Sequence, residues 1–163
     1  MSKKSISRFT IDAPPETVIK VLTDHDFEIE QQVSQQSTKS ASIKEISRSE
    51  RELILEITCE EYAKGATGIN RNKTETSITD ITWDLDKMAS SWIYKSPHGK
   101  RVRSWGSTAV KAGKNGTSEV VAELNIEIKI PLIGGKIEKM VIKETEAYWP
   151  TYQRLIRDYC KKM

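Results

Sequence analysis

The sequence predicts an α+β fold in which a curved antiparallel sheet of about six to seven strands wraps around a long C-terminal helix. Three observations predict it. Hydrophobic and polar residues alternate over about ninety residues from Ser37, which is the period of half-buried strands. Apolar residues then recur every three or four positions from Ile137 to Tyr159, which is the period of an amphipathic helix. The length of 163 residues, with 37% hydrophobic and 30% charged residues, fits one globular domain spanning residues 1–163.

The N-terminal part is predicted to form a strand followed by two short helices. Lys4 to Ile11 is a β-prone stretch. The segment Asp12-Ala13-Pro14-Pro15-Glu16 supplies a capping residue, prolines suited to a first helical turn, and a carboxylate near the positive end of the helix dipole. Asp24-His25-Asp26 interrupts the apolar pattern, so a second short helix is expected to follow it.

The predicted strands are separated by turn signals. Alternation is clearest in Arg51 to Tyr62 and in Glu119 to Ile130, where one face must be buried. Asn115-Gly116 suits a type I′ hairpin turn because both residues tolerate positive φ. The region from Tyr62 to Lys73, which contains two glycines, is predicted to be a loop.

The segment Ile130-Pro131-Leu132-Ile133-Gly134-Gly135 is predicted to end the last strand and lead into the long helix. Proline removes a hydrogen-bond donor from the sheet, and the glycines permit a sharp change of direction. Pro150 lies inside the helical pattern and is expected to kink the helix or disturb its hydrogen bonding. The apolar stripe of this helix must face the sheet if its lysines are to remain solvated.

With its elements in this order, the chain resembles the START-like superfamily (SRPBCC, or Bet v 1-type, polyketide cyclase and lipid transport proteins), and in particular a bacterial branch of unknown function. The resemblance rests on Ala13-Pro14-Pro15-Glu16-Thr17-Val18 and on the distinctive segment from Ile130 to Glu138, with Glu146 and Tyr148 in addition. It implies the helix-grip fold, an internal apolar cavity and, in many relatives, a bound hydrophobic small molecule. It implies no particular substrate or catalytic residue.

A cavity between the concave sheet and the long helix gives a set of candidate ligand-binding residues. Tyrosine hydroxyls and indole N–H groups there would orient the polar end of a ligand, although packing in a filled core also explains aromatic residues. Glu144 is the carboxylate whose helical position points it toward the cavity, unless it reaches solvent at the edge of the stripe. The candidates are Leu55, Ile57, Trp83, Trp92, Leu124, Ile126, Ile137, Val141, Glu144, Tyr148 and Tyr152.

The sequence contains no visible catalytic constellation and no metal-binding motif, so no cofactor is expected. His25 and His98 fall in an interhelix segment and a turn, where solvated side chains are the rule. Cys59 and Cys160 lack metal-ligand spacing and are interpreted as ordinary reduced thiols. These residues favour binding without covalent chemistry over an enzyme.

The charge and hydropathy patterns limit the partners. A net charge of +3, with the two signs interleaved, argues against nucleic acid. No apolar run approaches the roughly 18 to 20 residues of a membrane span, and the first eight residues contain no signal-peptide core, so a cytoplasmic location without integral membrane association is expected. The pattern leaves the oligomeric state open.

Three functions are compatible with these features. The first is binding of an apolar or amphipathic small molecule, lipid-like or polycyclic, between sheet and helix. The second is a polyketide cyclase or aromatase-type enzyme, in which the cavity orients a poly-carbonyl chain and a few polar groups move protons. The third is a protein-interaction module of the cochaperone type that uses the sheet surface and has a vestigial cavity.

Overall fold

The computed structural model describes residues 2–163. In these residues the chain forms seven strands and three α-helices. The strands are β1 (Lys3–Ile11), β2 (Thr38–Arg48), β3 (Glu52–Gly65), β4 (Gly68–Asp84), β5 (Ala89–Lys95), β6 (Val102–Ala112) and β7 (Ser118–Ile128). The helices are α1 (Pro15–Leu22), α2 (His25–Val33) and α3 (Gly134–Cys160).

All seven strands belong to one antiparallel sheet with the order β1-β7-β6-β5-β4-β3-β2. The two short helices therefore connect the two edge strands. The long helix α3 contacts β1 and β7 and also packs against α1 and α2. Shifts of register within β2 and between β3 and β4 add local bends to the sheet. The predicted α+β helix-grip fold is confirmed.

The two short helices begin where the sequence predicts. Pro15 occupies the first turn of α1, where its missing N–H costs no hydrogen bond. The side chain of Asp24 caps α2 by accepting a hydrogen bond from the backbone N–H of Phe27 at 3.0 Å. The polar interruption between the helices is thus a capping residue that starts the second one.

The loop predicted for Tyr62 to Lys73 is wrong, because these residues extend the hairpin formed by β3 and β4. Gly65 pairs with Gly68 across a tight turn, and the positive φ of 118° at Gly68 suits glycine. The guanidinium of Arg71 lies 4.8 Å from the ring centre of Tyr62. This part of the hairpin is partly exposed or exposed throughout, so the one-sided burial that marks a strand in a sequence is missing.

The Asn115-Gly116 turn is confirmed. Both residues have positive φ, 55° and 76°, and the N–H of Thr117 donates to the carbonyl of Lys114 at 3.1 Å. The last strand ends at Ile128, two residues before the predicted end, and α3 then runs from Gly134 to Cys160 with Pro150 inside it.

The buried side chains form two clusters at different levels of the sheet. The larger one joins α1, α2 and the C-terminal half of α3 to the strands and includes Phe27, Leu53 and Ile156. The smaller one joins β7 to the start of α3 through Ile126, Ile128 and Ile137. Residues of both clusters line the cavity described next.

Candidate functional site

A cavity of about 470 Å³ lies between the concave face of the sheet and α3. This volume falls within the range typical of small-molecule sites. Most of its lining residues belong to strands β3 to β7, to α2 and α3, and to the segment that joins β7 to α3. Nine of the eleven candidate residues line it: Trp83, Trp92, Leu124, Ile126, Ile137, Val141, Glu144, Tyr148 and Tyr152.

The other two candidates, Leu55 and Ile57, lie in the packed core. Each is 1% exposed and belongs to the same cluster as Val18 and Phe27 of the short helices. Their face of β3 points inward as predicted, but packed side chains of the core cover this part of β3. Contact of these two residues with a ligand stays a sequence prediction.

The wall formed by β7 and the first half of α3 is apolar. Leu124, Ile126 and Ile128 of β7 lie opposite Ile137 and Val141 of α3. The period of two in the strand and the stripe in the helix bring these side chains to one surface, as the sequence predicts. Lys136, Lys139 and Lys143 are exposed on the other side of the helix.

Trp92 forms part of the wall because its partner across the sheet is a glycine. Gly106 of β6 pairs with Trp92 of β5. A Cβ atom at Gly106 would overlap both the indole ring of Trp92 and the backbone carbonyl of Glu123. The glycine therefore leaves the space that the indole ring occupies beside β6.

Tyrosines line the side of the cavity formed by α2 and α3. The hydroxyl of Tyr148 donates to the carbonyl of Gln31 at 2.6 Å and so joins the two helices. The ring of Tyr152 packs against Phe9 and Phe27, with centroids 6.3 and 6.1 Å apart. Burial raises the pKa of both tyrosines, so their hydroxyls remain protonated at neutral pH.

A polar cluster stands on three neighbouring strands in the wall of the cavity. Oε1 of Glu61 on β3 accepts hydrogen bonds from the Tyr94 hydroxyl at 2.8 Å and from the Ser77 hydroxyl. Oε2 of the same carboxylate lies 3.9 Å from Nζ of Lys64. Burial, followed by the charge of Glu61, raises the pKa of Tyr94, which keeps that hydroxyl a hydrogen-bond donor.

Sequence reasoning missed Glu61 as a site residue although the pattern contained a signal. Leu53, Leu55, Ile57 and Cys59 occupy the inward face of β3, and Glu61 is the next residue of that series. A carboxylate that continues a buried series is a candidate for a polar group inside a cavity.

A second carboxylate, Glu28 of α2, is buried at the cavity wall with 8% of its surface exposed. Its Oε1 accepts hydrogen bonds from Nε2 of Gln31 at 2.7 Å and of Gln32 at 3.3 Å. Burial raises the pKa of Glu28 more than the two amides lower it. Glu28 was not predicted as a site residue, because only the apolar residues of this helix were used to interpret the sequence.

The thiol of Cys59 also faces the cavity but is not poised as a nucleophile. Its Sγ lies 3.8 Å from Oε1 of Gln32. Burial, with smaller contributions from Glu61 and Glu28, raises the pKa of Cys59 to about 12. The thiol is therefore protonated at neutral pH, and a thiolate is the reactive form.

The remaining sequence candidates lie at the edge of the cavity or outside it. Glu144 is partly exposed and lines the cavity. His98, expected in a solvated turn, is half-exposed and also borders the cavity, with Nε2 2.8 Å from Oε2 of Glu75. His25 is partly exposed and lies beside Glu45. Within residues 2–163, no group of three or more His, Cys, Asp or Glu side chains is arranged to hold a metal ion.

The sheet and the long helix form a helix-grip fold with a cavity between them. A family model described as "Protein of unknown function (DUF2505)" matches residues 7–160, and the chain therefore belongs to that family. No curated protein matches the sequence. In the part of the chain that the structure describes, no helix is long and apolar enough to cross a membrane.

Solved structures with the same fold include three that align with this chain over nearly the full length of both proteins. TTHA0849 from Thermus thermophilus matches at 17% identity with a TM-score of 0.65, covering 98% of each chain. The Zhui aromatase/cyclase from Streptomyces sp. R1128 matches at 11% identity with a TM-score of 0.61, covering 98% of this chain and 92% of that one. A START superfamily protein from Mycobacterium smegmatis matches at 12% identity with a TM-score of 0.61, covering 98% and 97%. These similarities confirm the fold that the resemblance implied.

Proposed function

We propose that this protein binds an apolar or amphipathic small molecule, lipid-like or polycyclic, in the cavity between the sheet and α3, without covalent chemistry. The supporting observation is a cavity of about 470 Å³ whose lining combines an apolar wall with hydrogen-bonding groups. The apolar wall suits the body of a ligand, and Glu28, Glu61 and Tyr94 supply partners for one polar end.

The size of the cavity argues against a purely structural explanation. Protein interiors are packed to nearly crystalline density, with few voids larger than a water molecule. Unfilled apolar space costs stability because the side chains around it lose contacts. A ligand that fills the space restores those contacts and stabilises the folded chain.

A cyclase or aromatase-type activity is the second candidate, and the polar cluster favours it. Glu61, Tyr94 and Ser77 combine a carboxylate with two hydroxyl groups in the cavity wall. Such groups are suited to proton transfer on a poly-carbonyl chain. Incubation with a poly-carbonyl compound separates the two candidates, because binding alone returns the compound unchanged whereas cyclisation alters its absorption spectrum and, with loss of water, its mass.

The domain organisation and the cellular location of the protein are part of the same proposal. The structural matches that extend over nearly the whole chain support a single domain over residues 1–163. The two cysteines are unpaired, which supports a reducing compartment such as the cytoplasm.

The third possibility, an interaction module with a vestigial cavity, predicts that filling the cavity leaves function unaffected.

The experiment is a titration with N-phenyl-1-naphthylamine, an uncharged apolar fluorophore whose emission rises on burial. We expect wild-type protein to bind it and Ala122→Phe to lose binding, because Ala122 is 3% exposed and lines the cavity. The matched control is Ala109→Phe, which adds the same ring at an exposed position on β6. Circular dichroism checks that both variants fold. Absence of binding to wild type, or equal binding by both variants, would contradict the proposal.

A further inference from the structure

The charges around the cavity are unbalanced. Five carboxylates line it, against two basic side chains, Lys64 and His98; the five are Glu28, Glu61, Glu75, Glu123 and Glu144. Three of them have basic partners: Glu123 pairs with Lys4 at 3.2 Å, Glu75 with His98 at 2.8 Å, and Glu61 with Lys64 at 3.9 Å. Among residues 2–163, Glu28 and Glu144 form no ion pair.

Glu28 is the more informative of these two because it is buried and only one of its two carboxylate oxygens accepts hydrogen bonds. Both amide donors, Gln31 and Gln32, bond to its Oε1, and no group in the described residues donates to Oε2. Every fully buried side-chain oxygen in that part of the chain has a hydrogen-bond partner. Oε2 is therefore not fully buried, and Glu28 lines the cavity although only 8% of the residue is exposed.

The surroundings of Glu28 disfavour an anion and favour a cation. A ligand carboxylate or phosphate near Oε2 would be repelled by the ionised form of Glu28, and Glu61 lines the same cavity. A protonated amine would instead form a charge-assisted hydrogen bond with Oε2. The rings of Tyr148, Tyr152, Trp83 and Trp92 also line the cavity, and aromatic faces attract cations.

We infer that the ligand of this cavity is an amphipathic amine, whose protonated nitrogen bonds to Oε2 of Glu28 and whose apolar body lies along β7 and α3. The inference rests on the proposed function and narrows it to one class of ligand. It excludes fatty acids and other lipids with an anionic end as the preferred ligand. The apolar wall of Leu124, Ile126 and Val141 accommodates the body of the amine.

The test compares three compounds with the same chain and different ends: dodecylamine, dodecanol and dodecanoate. Each is titrated at neutral pH, below its aggregation concentration, against wild-type protein loaded with N-phenyl-1-naphthylamine. We expect the amine to displace the fluorophore at a concentration about tenfold lower than dodecanol, with dodecanoate weakest, because a charge-assisted hydrogen bond contributes about that factor. Equal displacement by dodecanol, or preference for dodecanoate, would overturn the inference.

A variant then assigns the preference to one side chain. Glu28→Gln keeps the shape of the side chain and removes its charge, so we expect the advantage of the amine over dodecanol to disappear while dodecanol binds as before. Glu52→Gln, at an exposed position on β3, is the matched control and should keep the wild-type preference. An amine preference retained in Glu28→Gln would overturn the assignment to Glu28. Should that variant not fold, the wild-type ranking alone decides the ligand class.

The two proposals fail in different ways. If the fluorophore binds to wild type but the three compounds displace it equally, the cavity binds ligands and the amine inference is wrong. If the fluorophore does not bind to wild type at all, the proposed function is wrong and the inference is overturned with it.

Discussion

Oε2 of Glu138, near the start of α3, accepts a hydrogen bond from the backbone N–H of Ile128, the last residue of β7, at 2.7 Å. Its Oε1 lies 2.9 Å from Nζ of Lys3 on β1. Glu138 is 4% exposed. Burial acts to raise the pKa of Glu138, but the hydrogen bonds from Ile128 and Lys3 outweigh it and lower the pKa overall. One carboxylate thus joins α3 to two strands beside the apolar wall of the cavity.

Removing this carboxylate should destabilise the fold. Glu138→Ala leaves a buried backbone N–H without a partner, which costs about 1 to 3 kcal/mol. The free energy of unfolding in urea measures the effect. Glu146→Ala, an exposed position on the same helix, is the control and should change stability by no more than about 0.5 kcal/mol. Equal effects of the two substitutions would mean that the Glu138 contact contributes nothing.

The lowered pKa of Glu138 also predicts a pH dependence. A carboxylate whose pKa is lower in the folded state contributes stability above its unfolded pKa, and that contribution is lost as the pH falls through the folded pKa. The stability difference between wild type and Glu138→Gln should therefore shrink on acidification. Thermal unfolding of both proteins from neutral to acidic pH measures it, and a difference that stays constant would contradict the assigned direction.

The turn between β6 and β7 should depend on Gly116. Its φ of 76° is unfavourable for a β-branched side chain, so Gly116→Val should destabilise the protein by about 1 to 2 kcal/mol. Asn115→Gly at the neighbouring position, where φ is 55°, keeps a residue that tolerates this conformation and should be far milder. Similar melting temperatures for Gly116→Val and wild type would contradict the type I′ assignment.

The cavity wall should be sensitive to a single methyl group at Gly106. Gly106→Ala places that methyl against the Trp92 indole and the carbonyl of Glu123, so Trp92 must move. We expect lower stability, by about 1 to 3 kcal/mol, and weaker binding of N-phenyl-1-naphthylamine. Gly65→Ala is the control because the added methyl there meets no atom within 4 Å. If Gly106→Ala binds the fluorophore with the same affinity as wild type, Trp92 is not part of the binding site.

Tyr148 should affect ligand affinity more than an exposed residue of the same helix does. Tyr148→Ala removes a ring from the cavity wall and the hydrogen bond to the carbonyl of Gln31, so the affinity for the fluorophore should change. Lys143→Ala, on the exposed side of α3, should leave it unchanged. Because Tyr148 already borders a cavity, we expect a stability loss below the roughly 2 to 5 kcal/mol of a fully packed core position. A loss within that range, without any change in affinity, would place Tyr148 in a filled core.

The sequence predicted those features that depend on periodicity. The alternation in β7 and the apolar stripe of α3 from Ile137 to Leu155 each identify the buried face. The reason is that one face of such a strand and one side of such a helix are buried away from solvent. The Asn115-Gly116 turn was predictable because few residue pairs accept positive φ twice.

The position of the cavity along the sheet was not predictable from periodicity. Leu55 and Ile57 share the inward face of the sheet with Trp83, yet the space over the first two is filled by core side chains whereas Trp83 borders the cavity. The roles of Glu28 and Glu61 depend on how two helices and three strands meet. Such contacts join residues far apart in the chain, and no local pattern encodes them.

The most direct test of ligand binding is native mass spectrometry of the intact protein purified from cells. We expect a species heavier than the bare chain by one small organic molecule in wild type and in Ala109→Phe, and only the bare chain in Ala122→Phe. Organic extraction should release a compound that contains a basic nitrogen. Bare chain alone in all three proteins, together with no binding of N-phenyl-1-naphthylamine to wild type, would contradict ligand binding in the cavity.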